Sequence, residues 1–324
     1  MGKILISDAL SALKQLSDDS INICVTSPPY YNLRDYGADG QIGLETTPDE
    51  YINKLVEIFH EVKRVLKPDG TLWIVIADSY SGSGKGRKKN GTPSYFSKKQ
   101  QSNTGTTNGL LFKTLAKGCK PKDLIGIPWL LAFALRADGW YLRSDIIWDK
   151  SKNVFPESVK DRCTKAHEYV FMLSKNQRYY FDADAIKEPV AAASLKRAEY
   201  GWHGKGDAGQ GNYAGLGQMD SVKNRMIHPD GRNKRDVWHI NTFSYKKAHF
   251  ATYPPDLIRP CIRAGCPKGG IVLDPFMGSG TTAYVAIQEG RDYLGFEIQP
   301  EYESLIYERI AEANHEQRGD TDEL

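Results

Sequence analysis

Gly269-Gly270-Ile271-Val272-Leu273-Asp274-Pro275-Phe276-Met277-Gly278-Ser279-Gly280-Thr281-Thr282-Ala283 reads as a strand, a tight glycine turn and the start of a helix. Gly278, Gly280 and Ala283 meet the G-x-G-x-x-[G/A] spacing that lets backbone approach a ligand closely. Alone, the spacing is a weak signal. It gains weight from Glu297, which closes the next strand, Asp292–Ile298, seventeen residues past Gly280. A carboxylate there can accept hydrogen bonds from both hydroxyls of a ribose. Only 44 residues follow Gly280, too few to build the rest of a nucleotide-binding sheet. The missing strands must come from the N-terminal half, so the fold reads as circularly permuted.

The upstream sequence supplies them. Lys3–Ile6 reads as a short strand, followed by a helix through Leu16, and Ile21–Val25 as a second strand. Thr47-Pro48-Asp49-Glu50 opens a helix: Thr47 can cap it, Pro48 suits its first position and Glu50 completes a capping box. Ile52, Leu55, Val56, Phe59, Val62 and Leu66 follow at helical spacing, and Lys67-Pro68-Asp69-Gly70 ends the run. Thr71–Ala77 is a nearly continuous apolar strand, typical of a sheet covered on both faces. Further on come a helix near Asp123–Ala137 and strands near Tyr141–Trp148 and Glu168–Leu173. Alternating strands and helices imply a parallel α/β sheet with helices on both faces. Two stretches lack periodicity: a long, mobile, basic loop over residues 79–120, and a glycine-dense region over 186–248. The expected organisation is a first half over 1–185, an inserted region over 186–248 and a ligand-binding half over 249–324.

Composition sets the bounds. The chain has 324 residues, 40% hydrophobic and 26% charged, which are globular proportions, and a formal net charge of only +3. Its distribution is more telling. Ser79–Lys122 holds ten Lys or Arg and no Asp or Glu, whereas Glu312, Glu316, Asp320, Asp322 and Glu323 make the C-terminus acidic. That asymmetry fits polyanion binding, or equally a solvated loop and a frayed end. Cys24, Cys119, Cys163, Cys261 and Cys266 are odd in number and form no CxxC pair, against a disulfide framework or a metal site. No signal-peptide pattern opens the chain and no apolar run approaches a membrane span. The expectation is a soluble, cytoplasmic protein.

The glycine turn could serve a dinucleotide or S-adenosylmethionine. Asp274 would repel a pyrophosphate but suits a cationic methionine group. Ser279, Thr281 and Thr282 offer hydroxyls to a carboxylate at a helix N-terminus. Asp8, just after the first strand, would lie beside Glu297 and either bind an adenine amine or simply cap its helix.

Thr26-Ser27-Pro28-Pro29-Tyr30 follows the second strand, and two prolines end the sheet in a rigid loop. An exocyclic base amine is a poor nucleophile because its lone pair is delocalised into the ring. Two acceptors for its N–H groups would draw the nitrogen towards tetrahedral geometry. Ser27 offers a hydroxyl oxygen and Pro28 a carbonyl held by Pro29, while Tyr30 can stack on the base. This is positioning and electrostatic work without a covalent intermediate. A Pro-Pro-Tyr turn can also be a bare recognition ligand, but here it sits at the end of a core strand, where open α/β sheets do their chemistry.

Taken together, the chain resembles the beta group of permuted DNA amino-methyltransferases, with the catalytic S/D/N-P-P-Y loop first, target recognition in the middle and the cofactor loop last. The likeness runs through Ile6-Ser7-Asp8, Ser27–Tyr30, Asp274–Thr282 and Glu297, and His249-Phe250-Ala251-Thr252-Tyr253-Pro254 is similar to the element that encloses the methionine end. It implies a Rossmann-like fold and S-adenosylmethionine held by Asp8, Phe250, Thr252, Asp274, Pro275, Phe276, Gly278, Ser279, Gly280, Thr281, Thr282 and Glu297. It also implies duplex DNA with a flipped target base, which costs about a few kcal/mol to extrude. Serine before Pro-Pro goes with N4 of cytosine in that family and aspartate with N6 of adenine, with exceptions, so cytosine is favoured and adenine is the alternative.

Lys85, Arg87, Lys88 and Lys89, with Lys98 and Lys99, would clamp phosphates. Arg197, Arg225, Arg232, Lys234 and Arg235 are candidates for base or phosphate contacts in the recognition region. Rival readings are a dinucleotide oxidoreductase, which leaves Ser27–Tyr30 without a purpose, and a DNA-binding module with a vestigial cofactor loop. A C5-cytosine methylase would need a nucleophilic cysteine, and Cys261 reads as helix packing. His167-Glu168 and Asp145 lie near strand ends with roles left open. No metal is expected. A cognate restriction endonuclease is a possible companion, and the protein is expected to be a monomer or homodimer.

Overall fold

The computed structural model describes residues 2–33, 37–82, 115–150, 157, 159–190, 231–242 and 252–319. They form strands β1 (Lys3–Ile6), β2 (Ile21–Thr26), β3 (Leu66–Ile76), β4 (Tyr141–Asp149), β5 (His167–Ser174), β6 (Val237–His239), β7 (Ile271–Asp274) and β8 (Asp292–Glu297). The main helices are α1 (Ala9–Leu13), α2 (Pro48–Val65), α3 (Ile127–Ala137), α4 (Pro255–Gly265), α5 (Thr281–Gln288) and α6 (Glu303–Gly319). The chain divides into two compact units, one of Met1–Phe181 with Asp236–Leu324, the other Asp182–Arg235.

The first unit holds a mixed sheet in the order β1-β8-β7-β2-β3-β5-β4-β6. The expectation of a parallel sheet fails at one strand: every neighbouring pair is parallel except the two that β5 makes, with β3 and with β4. The first strand pairs with the last, Ile6 beside Glu297. From β7 the chain proceeds to β8 on one side, and from β2 to β3 on the other. The junction of β7 and β2 is therefore the point where strand order reverses, and crevices for ligands open there.

Both faces are covered, as the apolar run of β3 foretold. Leu72, Ile74 and Ile76 join Leu13, Tyr51, Leu55, Phe59 and Leu131 from α1, α2 and α3 in one core. Trp73 is equally buried but alternates to the opposite face, where a side chain at Gly265 of α4 would strike Ile23 and the Trp73 indole. Cys261 lies fully buried in α4, its thiol donating to the Leu257 carbonyl (3.6 Å), a packing residue as read.

The capping box of α2 forms as expected. Glu50 N donates to Thr47 Oγ1 (3.1 Å), and Thr47 N to the Glu50 carboxylate (3.3 Å). The stop at Lys67–Gly70 takes another form: β3 begins at Leu66, and these four residues are accommodated by a register shift against β2. Their carbonyls are met from the chain after β5, by Asn176 at Pro68 (2.7 Å) and by Tyr180 N at Asp69 (2.9 Å). The helix expected from Asp123 starts at Ile127 instead, because the cap comes from afar: Asp78, just past β3, accepts from Gly126 N (3.0 Å) and Ile127 N (3.2 Å). The acidic end is also partly structural. Glu312 and Glu316 lie on α6, and Glu316 accepts from the Tyr284 hydroxyl of α5 (2.7 Å).

Candidate active site

Seven strands point one way, so their C-terminal ends share one edge, and reversed β5 brings its N-terminal end there too. Asp274, at the end of β7, is fully buried and is met by four donors. Oδ1 accepts from Thr26 Oγ1 at the end of β2 (2.6 Å) and from Phe276 N (3.0 Å). Oδ2 accepts from Thr282 Oγ1 (2.5 Å) and the Tyr253 hydroxyl (3.0 Å), and those two hydroxyls also touch each other. Burial pushes the Asp274 carboxyl up, although all four hydrogen bonds oppose the shift. Tyr253 is pushed well above the ordinary phenol range, first by burial and then by the Asp274 charge. Asp274 thus joins the strand before Ser27, the turn and the helix after it into one unit.

The turn itself has the shape read from its glycines. Gly278 (φ +54°) and Gly280 (φ +80°) adopt left-handed backbone, and a side chain at Gly280 would come within 3.2 Å of Ile306 in α6. Gly278 N donates to Glu297 Oε2 (2.8 Å) and Gln299 N to Oε1 (2.9 Å). Each oxygen keeps acceptor capacity beyond that bond. Burial raises the Glu297 carboxyl to about 7, against the opposing hydrogen bonds from Gln299 and Gly278. Asp8 lies at the same edge, beyond β1, and caps α1 by accepting from Ser11 N (2.9 Å). Burial raises its carboxyl, but the hydrogen bonds from Ser11 and Leu10 outweigh it, for a net lowering.

Across from this turn, Pro28 is buried and Ser27 and Tyr30 are half-buried. Tyr51 of α2 donates to the Pro29 carbonyl (2.8 Å), which braces the loop, whereas no described residue bonds to the Pro28 carbonyl. The Tyr30 hydroxyl donates to Glu168 Oε2 (2.8 Å), and Glu168 Oε1 is paired with Lys150. Tyr30 is pushed well above the usual phenol range by burial and by Glu168, with Ser27 pulling the other way. Glu168 is thereby placed at the edge, while Asp145 is exposed within β4. Only the tertiary pairing of β5 with β3 could reveal that; nothing local to Glu168 does.

The site residues fit S-adenosylmethionine on one independent observation. Thr252 Oγ1 is buried without a hydrogen-bond partner among the described residues, beside Tyr253 of the Asp274 cluster. A buried hydroxyl left unpaired is costly, and a ligand's carboxylate or amine would satisfy it. Phe250, Lys85, Arg87, Lys88, Lys89, Lys98, Lys99, Arg197 and Arg225 lie outside the described residues. In the second unit, Arg232, Lys234 and Arg235 all face Glu188, at 3.4, 3.7 and 3.2 Å, and Glu188 and Arg232 exchange both backbone hydrogen bonds. No metal-holding group of His, Cys, Asp or Glu exists among the described residues, and no described helix is long and apolar enough to cross a membrane.

The model of a family of N6 and N4 DNA methylases matches residues 21–308, nearly the whole chain. The chain belongs to the N6/N4 DNA methylase family. Type II methyltransferase M.Cfr9I of Citrobacter freundii is 44% identical to this methylase over 303 residues, 94% of this chain and 85% of its own. M.SmaI of Serratia marcescens is 43% identical over 308 residues, 95% of this chain and 90% of its own. Among solved structures, the cytosine-N4-specific PvuII DNA methyltransferase superposes with a TM-score of 0.61 at 20% identity, over 95% of this chain and 86% of its own. A putative DNA modification methylase from Thermus thermophilus, solved with S-adenosyl-L-methionine, gives 0.56 at 20% identity, over 97% and 96%. At that identity the two structures speak for the fold alone. Family membership removes the oxidoreductase reading.

Proposed function

We propose that this methylase is a site-specific modification enzyme that transfers a methyl group from S-adenosylmethionine to N4 of a cytosine flipped out of duplex DNA. The carrying observation is the Thr26–Asp274 hydrogen bond, which fixes the loop of Ser27–Tyr30 against the glycine turn at the reversal of strand order. S-adenosylmethionine, when bound, supplies an electrophilic methyl on a sulfonium. Gly278–Thr282 and Glu297 hold it, Glu297 accepting the ribose hydroxyls, and Thr252 receives the methionine end. Ser27 Oγ and the Pro28 carbonyl accept the two amine hydrogens and so localise the nitrogen lone pair, and Tyr30 supports the base face. Serine rather than aspartate before Pro-Pro favours cytosine.

DNA is gripped by the basic stretch around Lys85–Lys89 and read by residues 186–248, between a catalytic half over 1–185 and a cofactor half over 249–324. Three cations share Glu188 in that region, and the side chains of Arg235 (65% exposed) and Arg232 (40%) remain open to a phosphate. The enzyme acts in the cytoplasm on the cell's own DNA, where a cognate restriction endonuclease would make its modification protective.

Expression in a host lacking DNA methylation, followed by mapping of modified bases, tests the reading. N4-methylcytosine in one short motif is the expected result. N6-methyladenine would overturn the choice of base and leave the mechanism, whereas unmodified DNA would overturn both.

Glu297 gives a pH signature. Ribose hydroxyls bond the ionised carboxylate, so binding favours the charged form and releases a proton near pH 7, where the free protein titrates this group. Affinity for S-adenosylmethionine should be full above pH 7 and fall as pH drops below it, by at most about tenfold per pH unit. Calorimetry at pH 6 and 8 in buffers of different ionisation enthalpy checks this. An equally steep pH dependence in Glu297→Gln would assign the effect to another group.

A further inference from the structure

We propose that Glu168 is a positioning residue for methyl transfer: it receives the Tyr30 hydroxyl, is itself held by Lys150, and so sets the ring on which the target base rests. The inference rests on reading Ser27–Tyr30 as the target-base pocket and goes further by naming what holds that pocket in shape.

A tyrosine that only offered its ring face would need no hydroxyl partner. Tyr30 instead is fixed at both ends. Its backbone neighbour Pro29 is tied to Tyr51, and its hydroxyl donates to Glu168 Oε2 at 2.8 Å. Glu168 is restrained in turn: Oε1 is paired with Lys150, and both side chains are mostly shielded, at 16% and 20% exposure. The Lys150 ammonium also lies 4.0 Å from the centre of the Trp148 ring, whose indole N–H donates to the Ile240 carbonyl at 2.8 Å. The line from Trp148 through Lys150 and Glu168 to Tyr30 therefore runs from the end of β4 to the loop after β2. It can do so only because β5 is antiparallel, which brings Glu168 to the functional edge. Charge-assisted hydrogen bonds of this kind are stronger and more directional than neutral ones, which suits a group that must hold an angle.

A double-mutant cycle tests this, with single-turnover methylation measured on whichever base the wild type modifies. Tyr30→Phe and Glu168→Leu should each slow the step about tenfold, since small misplacements cost that much or more. The double variant should be no slower than the worse single, because the two changes remove one interaction. Glu168→Gln keeps an acceptor oxygen and should stay within about threefold of wild type. Affinity for S-adenosylmethionine should move less than about twofold throughout, since a merely structural defect would weaken it too. If Glu168→Leu folds poorly because Lys150 is left unpaired, Lys150→Met/Glu168→Leu removes both charges and takes its place in the cycle.

Multiplying effects, about 100-fold in the double variant, would overturn the proposal. So would a wild-type rate in Glu168→Leu, or a cofactor affinity that falls with the rate. Tyrosine 13Cζ NMR separates this outcome from failure of the target-base reading. If the wild type methylates no DNA, that reading has failed, and a Tyr30 resonance unmoved by Glu168→Leu would still overturn the contact on which the inference stands.

Discussion

Ser27→Ala is expected to lower the rate of methyl transfer about 100- to 1,000-fold, the range seen when one preorganised hydrogen-bonding group is removed from a reacting centre. The reason is electronic. The base nitrogen gains nucleophilicity only as its lone pair leaves conjugation with the ring, and the two acceptors favour that geometry most strongly in the transition state. Ser27 follows directly on Thr26, which is locked to Asp274, so loss of its Oγ leaves the backbone path in place. The Pro28 carbonyl, which no described residue uses, remains as the second acceptor and accounts for the residual rate. Affinity for S-adenosylmethionine should stay within about twofold, because Glu297 and the glycine turn are untouched. Single-turnover rates and a cofactor titration on the same preparation check both halves. A rate within about threefold of wild type would mean that Ser27 does not face the reacting amine.

Much of this site was legible in sequence for a physical reason. Gly278, Gly280 and Glu297 lie close along the chain on consecutive elements, so spacing alone placed them together, and the structure joins them by the Gly278–Glu297 hydrogen bond. The capping box of α2 is likewise local. What was hidden depends on strand pairing over long separations. Tyr30 meets Glu168 across 138 residues and Thr26 meets Asp274 across 248. No periodicity announces that β5 runs against its neighbours. β6 was missed because three residues at a sheet edge are too short to show alternation. The pairing of Arg232, Lys234 and Arg235 with Glu188 was hidden because that shared partner stands more than forty residues earlier.

Asp274 carries the largest expected effect on stability. Its charge suggested a partner for a cationic ligand. The structure instead buries it fully and surrounds it with four donors: the hydroxyls of Thr26, Thr282 and Tyr253 and the backbone N–H of Phe276. Asp274→Ala strands these donors away from water and leaves a cavity, and should destabilise the fold by about 4 kcal/mol. For a chain of 324 residues that corresponds to a melting point lower by about 6 °C. Asp274→Asn should be far milder, about 1–2 kcal/mol. The amide oxygen can still serve Thr26 and Phe276, and the hydroxyls of Thr282 and Tyr253 can rotate to accept from the new NH2. Thermal melts and urea titrations of the two variants give the comparison, with cofactor affinity measured on Asp274→Asn. If that variant keeps its stability yet loses about tenfold or more in affinity, the charge acts on the ligand after all. Otherwise, retained affinity makes Asp274 the tie that sets the catalytic loop and the cofactor turn in register, which is why a fully buried carboxylate is worth its desolvation here.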